Sequence, residues 1–144
     1  MVELIKALRL ETGASVADCK TALVSAKGDM GAARKELSAQ GHKAVTKFAG
    51  RTATVTVVGS YVHHNGSIGA LAKLATQTDF VARTDEVKEL AKDIAMQVAA
   101  TGTITQALLD ESWVKNPAMT IRDRVAQVSA KVGEKVVVRK VVRL

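Results

Sequence analysis

The chain has 144 residues, a formal net charge of +7 and a pI of about 9.8. That length holds one domain with a real core or two small units, and no apolar run is long enough to cross a bilayer. The lone Cys19 excludes an intrachain disulfide, and Met1–Lys6 lacks the pattern of a signal peptide, so a cytoplasmic protein is expected.

Residues 3–41 read as three short helices. Ile5 and Leu8 share a face beside Leu4, and Thr12-Gly13 ends the first helix. Ser15 caps the second, with Asp18 completing a capping-box-like pair. Val16, Cys19, Leu23 and Ala26 follow at helical spacing as its apolar face. Gly28 ends that helix and Asp29 caps the third, which carries Met30, Ala33 and Leu37 and is expected to stop at Gly41. Residues 42–53, with Lys43, Lys47 and Arg51, read as a basic, partly helical connector.

From Thr54 the pattern changes. Thr54–Val58 is β-branched throughout, and Asn65-Gly66 marks a hairpin turn after Tyr61-Val62. The return strand places Ile68, Ala70, Ala72 and Leu74 on one face. Thr84 opens a helix striped by Val87, Leu90, Ala91, Ile94 and Val98, which Gly102 ends. Leu108, Leu109 and Trp113 suggest a short helix broken by Pro117. Thr120 caps a helix with Ile121, Val125, Val128 and Val132 on one face, ended by Gly133. A final strand alternates Val136, Val138, Val142 and Leu144 with Val137, Arg139, Val141 and Arg143. The expected fold is α+β: a small N-terminal three-helix module (1–41), the connector (42–53), and a core (54–144) with a three-stranded antiparallel sheet covered by helices on one face.

No nucleophile elbow, phosphate loop or zinc-protease motif occurs, so neither an enzyme nor a bound cofactor is expected. His63-His64 lacks further ligands nearby, and no metal site is expected. The basic charge fits an acidic protein partner or RNA, although the 3% aromatic content argues against base stacking. One stretch stands apart: Thr78-Asp79-Phe80-Val81-Ala82-Arg83, at a strand-to-helix junction, holds one of the chain's two phenylalanines. Taken alone, the residues favour Phe80 as an inward core plug and Asp79 as the cap of a local turn.

That stretch resembles the central motif of the elongation factor Ts family. Leu8-Arg9, Thr12-Gly13-Ala14, Asp18-Cys19-Lys20, Ala22-Leu23 and Gly28-Asp29 are similar to the family's opening module, in order and spacing. Ala49-Gly50-Arg51 resembles its connector, and Ala130–Glu134 followed by Val137-Val138-Arg139 the end of its core subdomain. Val16 and Ala17 stand where the family usually has two methionines. The resemblance implies a UBA-like docking module, a short form with one core subdomain, and a guanine-nucleotide exchange factor acting on elongation factor Tu without covalent chemistry. It implies that Thr78, Asp79, Phe80 and Val81 bind the partner and displace its magnesium ion. Val16, Cys19, Lys20, Val132 and Gly133 would support the contact. Two other readings stay open: a basic RNA-binding module, and a Tu-docking scaffold without efficient exchange. A homodimer through the uncovered sheet face, with Val137 and Val141 buried between copies, is also expected.

Overall fold

The computed structural model describes residues 1–144. The first three helices are α1 (Val2–Thr12), α2 (Val16–Ser25) and α3 (Met30–Phe48). Gly13 takes the left-handed conformation that ends α1. The Ser15 hydroxyl accepts the Asp18 N–H at 3.0 Å, and the Asp29 carboxylate accepts the Ala32 N–H at 2.8 Å. Leu8, Cys19, Ala22, Leu23 and Ala33 form a small buried core, with Leu4, Ile5, Met30 and Leu37 packed against it. Val16, expected on this apolar face, is exposed; the buried stripe of α2 runs through Cys19, Ala22 and Leu23.

Gly41 does not stop α3. The helix continues to Phe48, so the first part of the expected connector is its last two turns. Gly41 is buried against α6 (Ile121–Val132), where an added Cβ would lie 3.4 Å from the Ala126 carbonyl carbon. Its missing side chain serves close helix–helix approach rather than a turn. One residue on, His42 Nε2 lies 2.7 Å from the Asp123 carboxylate. Burial pushes the Asp123 carboxyl up, but hydrogen bonds from the Thr120 N–H, His42 and the Thr120 hydroxyl prevail and hold it below the usual carboxylate range.

The second core is built on β1 (Val55–Val62), β2 (Gly69–Thr76) and β5 (Val137–Arg143), antiparallel in the order β1-β2-β5. The β1–β2 turn closes through the Gly66 N–H on the His63 carbonyl, with Gly66 at φ 72°. On one face of the sheet lies α5 (Asp85–Thr101), whose Val87, Leu90, Ala91, Ile94 and Val98 meet Ala70, Ala72 and Leu74. Each fully buried Val or Leu contributes about 1.5–3 kcal/mol. Small residues bring helix and sheet together. At Gly59 a Cβ would stand 2.5 Å from the Ala91 Cβ and 2.6 Å from the Ala91 carbonyl carbon.

Two expectations fail in the second half. Leu108 and Leu109 lie in a short 3-10 helix (Gln106–Asp110), but Trp113 does not join it: a two-stranded hairpin follows, β3 (Ser112–Trp113) and β4 (Asn116–Thr120), with Pro117 in its second strand. Buried Gln97 on α5 holds it, donating to the Ser112 carbonyl at 3.0 Å and accepting the Val114 N–H at 2.9 Å. Buried Asp93 pairs with Lys115 at 2.9 Å and Arg124 at 3.3 Å. Such side-chain pairings leave no periodic trace in the sequence.

The alternation of β5 also breaks. Lys73 pairs with Lys140 but Leu74 with Val138, so Arg139 is an extra residue on the β5 side of the ladder. Parity flips beyond it. Val138 and Val141 both pack on the core, and the Arg143 Nε donates to the Ala99 carbonyl on α5. Val141 is therefore not part of the uncovered sheet face, and Arg143 does not project from it. That face exposes Val58, Val62, Leu71 and Val142 around Lys73 and Lys140.

Gly59→Ala should force α5 away from the sheet and lower stability by about 1–3 kcal/mol. Thermal melting would show this as a fall of several degrees in Tm. A variant that melts with the wild type would contradict the close approach of Gly59 to Ala91.

Candidate functional site

β2 ends at Thr76 and α5 begins at Asp85, and a single helical turn, α4 (Asp79–Ala82), lies between them. The Thr78 hydroxyl caps it, accepting the Val81 N–H at 3.3 Å. Val81 and Ala82 face inward and are buried. Phe80 points the other way and is 82% exposed. It is not a core plug. Asp79 is not the cap either: it opens the turn and pairs with Arg83 at 2.8 Å. Arg83, Thr84, Asp85 and Glu86 line the shallow surface depression around Asp79 and Phe80, giving the ring three acidic neighbours.

One turn of helix has little stability of its own. This one is anchored from within by Val81 and Ala82 and from the side by Glu134. The Glu134 carboxylate accepts the Gln77 N–H at 3.2 Å, the Thr78 N–H at 3.0 Å and the Thr78 hydroxyl at 2.8 Å. The Thr76 hydroxyl donates to the Thr78 carbonyl at 3.0 Å. Glu134 belongs to the loop after α6, which Gly133 opens in the left-handed conformation at φ 72°. The Ser129 hydroxyl donates to the Glu134 carbonyl at 2.6 Å, and the Lys135 N–H donates to the Gln77 side-chain carbonyl at 2.7 Å.

The same loop reaches the segment after α3. Lys135 Nζ donates to the Ala49 carbonyl at 2.7 Å and to the Arg51 carbonyl at 3.1 Å. The Arg51 guanidinium stacks 4.2 Å from the Phe48 ring centroid and donates to Gln77 and to the Gly133 carbonyl, each at 3.4 Å. Thr78, Asp79, Phe80, Val81 and Gly133 are thus gathered at one end of the core. Val132 is half-buried against that core, while Gly133 is exposed with open space where a Cβ would be.

Val16, Cys19 and Lys20 lie on α2, in the helical module. Val16 and Lys20 are exposed. Cys19 is fully buried in the core of the module, and that burial pushes its thiol up. Nowhere are three or more His, Cys, Asp or Glu residues gathered to hold a metal. The sequence reading missed Glu134, Gln77 and Lys135 as holders of the motif. Glu134 lies 56 residues from Thr78, and no local spacing signals such a pairing.

The family model for elongation factor Ts matches residues 77–144, a span that contains both the Phe80 turn and Glu134. The elongation factor Ts of Carboxydothermus hydrogenoformans is 35% identical over 187 residues, covering 98% of this chain and 86% of the relative. The chain belongs to the elongation factor Ts family. It is thereby a member of a family of translation elongation factors. The elongation factor Ts of Methylacidiphilum infernorum is 33% identical, covering 99% of this chain and 92% of the relative. That of Thermotoga maritima is 52% identical over 99 residues, covering 69% of this chain and 50% of the relative. The alignment with the Carboxydothermus elongation factor Ts is longer than this chain, so that relative carries residues with no counterpart here.

Because Phe80 is 82% exposed, Phe80→Ala should change stability by no more than about 0.5 kcal/mol. Circular dichroism and the melting temperature should match the wild type. A loss of several degrees would restore the core-plug reading.

Proposed function

We propose that this elongation factor Ts chain binds elongation factor Tu and promotes release of GDP by disturbing the magnesium and phosphate site. The supporting observation is Phe80, a large aromatic ring held out in solvent on a braced turn. Leaving such a ring exposed forgoes burial energy, which a partner's apolar slot would recover. Phe80 enters as a wedge between elements that hold the metal, and Asp79 shifts the polar network beside it. Magnesium tolerates little departure from its preferred oxygen geometry, so moving its ligands weakens nucleotide binding. Val81 anchors the wedge from inside, Thr78 caps it, and Val132 and Gly133 bring backbone close to the partner. No covalent step is required. If the factor binds empty Tu more tightly than loaded Tu, nucleotide must bind the factor complex more weakly in the same ratio.

In this reading residues 1–41 dock on the partner through exposed Val16 and Lys20 of α2, residues 42–53 span to the core, and residues 54–144 carry the wedge in the cytoplasm. RNA binding is less well supported. The only aromatic side chain in the three-stranded sheet is Tyr61, which packs on the core, so the open face offers bases nothing to stack on. A homodimer through that face belongs to the proposal, with Val58, Val62, Leu71 and Val142 as its apolar contacts in place of Val141. Lys73 and Lys140 stand directly opposite each other there, and no strand of the sheet contains an acid. Two copies would bring like charges together.

Two experiments test these statements. Release of fluorescently labelled GDP from Tu should accelerate on adding the chain, and Phe80→Ala should remove at least about tenfold of that acceleration, about 1.4 kcal/mol in the barrier. Unchanged release with tight Tu binding would leave the scaffold reading; tight, salt-sensitive RNA binding without Tu binding would leave the RNA one. In sedimentation equilibrium the dimer should strengthen as salt screens the lysines, and Leu71→Lys should abolish it. A single species near 15.2 kDa at both low and high salt would rule the dimer out.

A further inference from the structure

We infer that Glu134 is the positioning residue of the wedge, and that the loop it sits on sets the wedge's orientation relative to the helical module. This rests on the exchange reading for its functional consequence, but the brace itself stands on geometry. A turn of four residues has no continuous helical hydrogen-bond ladder to hold its direction. Its inner side chains, Val81 and Ala82, fix its depth. They leave rotation about the Thr76–Thr78 backbone to be restrained by other contacts. Glu134 supplies that restraint through two backbone donors and one hydroxyl on consecutive residues, Gln77 and Thr78. Hydrogen bonds to an ionised group are the stronger kind, and three on one carboxylate define a direction as well as a distance.

Glu134 is itself held. Its carbonyl is tied to Ser129 on α6, and its neighbour Lys135 is bound to the Ala49 and Arg51 carbonyls, directly after α3. Arg51 returns to Gln77 and to the Gly133 carbonyl. The end of the helical module, the loop after α6 and the start of the wedge therefore share one set of polar contacts. Glu134 need not touch a partner to matter. It acts by presenting Phe80 at a fixed angle to the surface on which the module docks, so its loss should weaken release of nucleotide more than it weakens docking.

The test uses the full chain and three variants. Hydrogen–deuterium exchange of the free protein should show the Gln77 and Thr78 amides exchanging faster in Glu134→Ala, with β1 and β2 amides unchanged. Protection equal to wild type would overturn the brace, whatever the activity. With Tu loaded with labelled GDP, Glu134→Ala should lower the release rate at saturating factor about tenfold while changing the Kd for Tu by less than about threefold. Glu134→Gln should restore most of the rate, because its amide oxygen still accepts the two N–H groups and its NH2 can donate to the Thr78 hydroxyl. Glu134→Asp, one methylene shorter, should remain impaired. Equal loss of rate and affinity, a Gln variant as poor as Ala, or global unfolding of both Ala and Gln variants would each overturn the positioning role. If the wild type itself does not accelerate release, the exchange reading fails, and amide exchange still decides the brace.

Discussion

Three hydrogen bonds to one carboxylate decide where the protein's most exposed aromatic ring points. The geometry answers a general difficulty. A side chain held out in solvent gives up the packing that would hold it still. Here the difficulty is divided among neighbours. Val81 and Ala82 are buried so that Phe80 can be free, and Glu134 supplies the directional contact that a single helical turn lacks. The Gly133 conformation lets the chain leave α6 and bring Glu134 back to the end of β2.

The seam between α3 and α6 extends the same rigidity to the helical module. A flexible linker would leave the module and the Phe80 turn free to move relative to each other. Instead α3 runs unbroken past Gly41, lies close against Ala126, and is pinned by His42 to Asp123. Asp123 also completes the capping box that starts α6. One carboxylate therefore both starts a core helix and receives the helix of the module. The helical module and the Phe80 turn are held in a fixed relation, so a partner that met both would require little further ordering on binding.

The sheet carries this arrangement because its two faces differ. On one side Gly59 and the alanines of β2 let α5 approach closely, and Val87, Leu90, Ile94 and Val98 of α5 fill the core against them. On the other, valines and a leucine surround two lysines with no acid among them. The β5 bulge maintains that difference. It turns Val141 inward to the core and sends Lys140 outward, the reverse of what strict alternation along β5 would have done.

Local chemistry determined much of this protein without reference to its fold. Ser15, Asp29, Thr84 and Thr120 each cap the helix that their sequence position indicated, and Gly13, Gly102 and Gly133 end theirs in the left-handed conformation. Those signals act within four residues, so they are legible in the chain itself. The stripe of α5 was equally legible, because helical period and one-sided burial coincide there. The Thr78–Arg83 stretch stood out by its residues, but whether Phe80 faced in or out was not decided by them. Tertiary structure decided that, along with every feature set by a distant partner. Gly41 sits inside a helix that packs on α6, Trp113 and Pro117 lie in a hairpin that Gln97 and Asp93 hold, and β5 bulges against the register of β2. Glu134 meets Thr78 across 56 residues of chain. Contacts of that range depend on how whole elements pack, and spacing along the chain does not encode them.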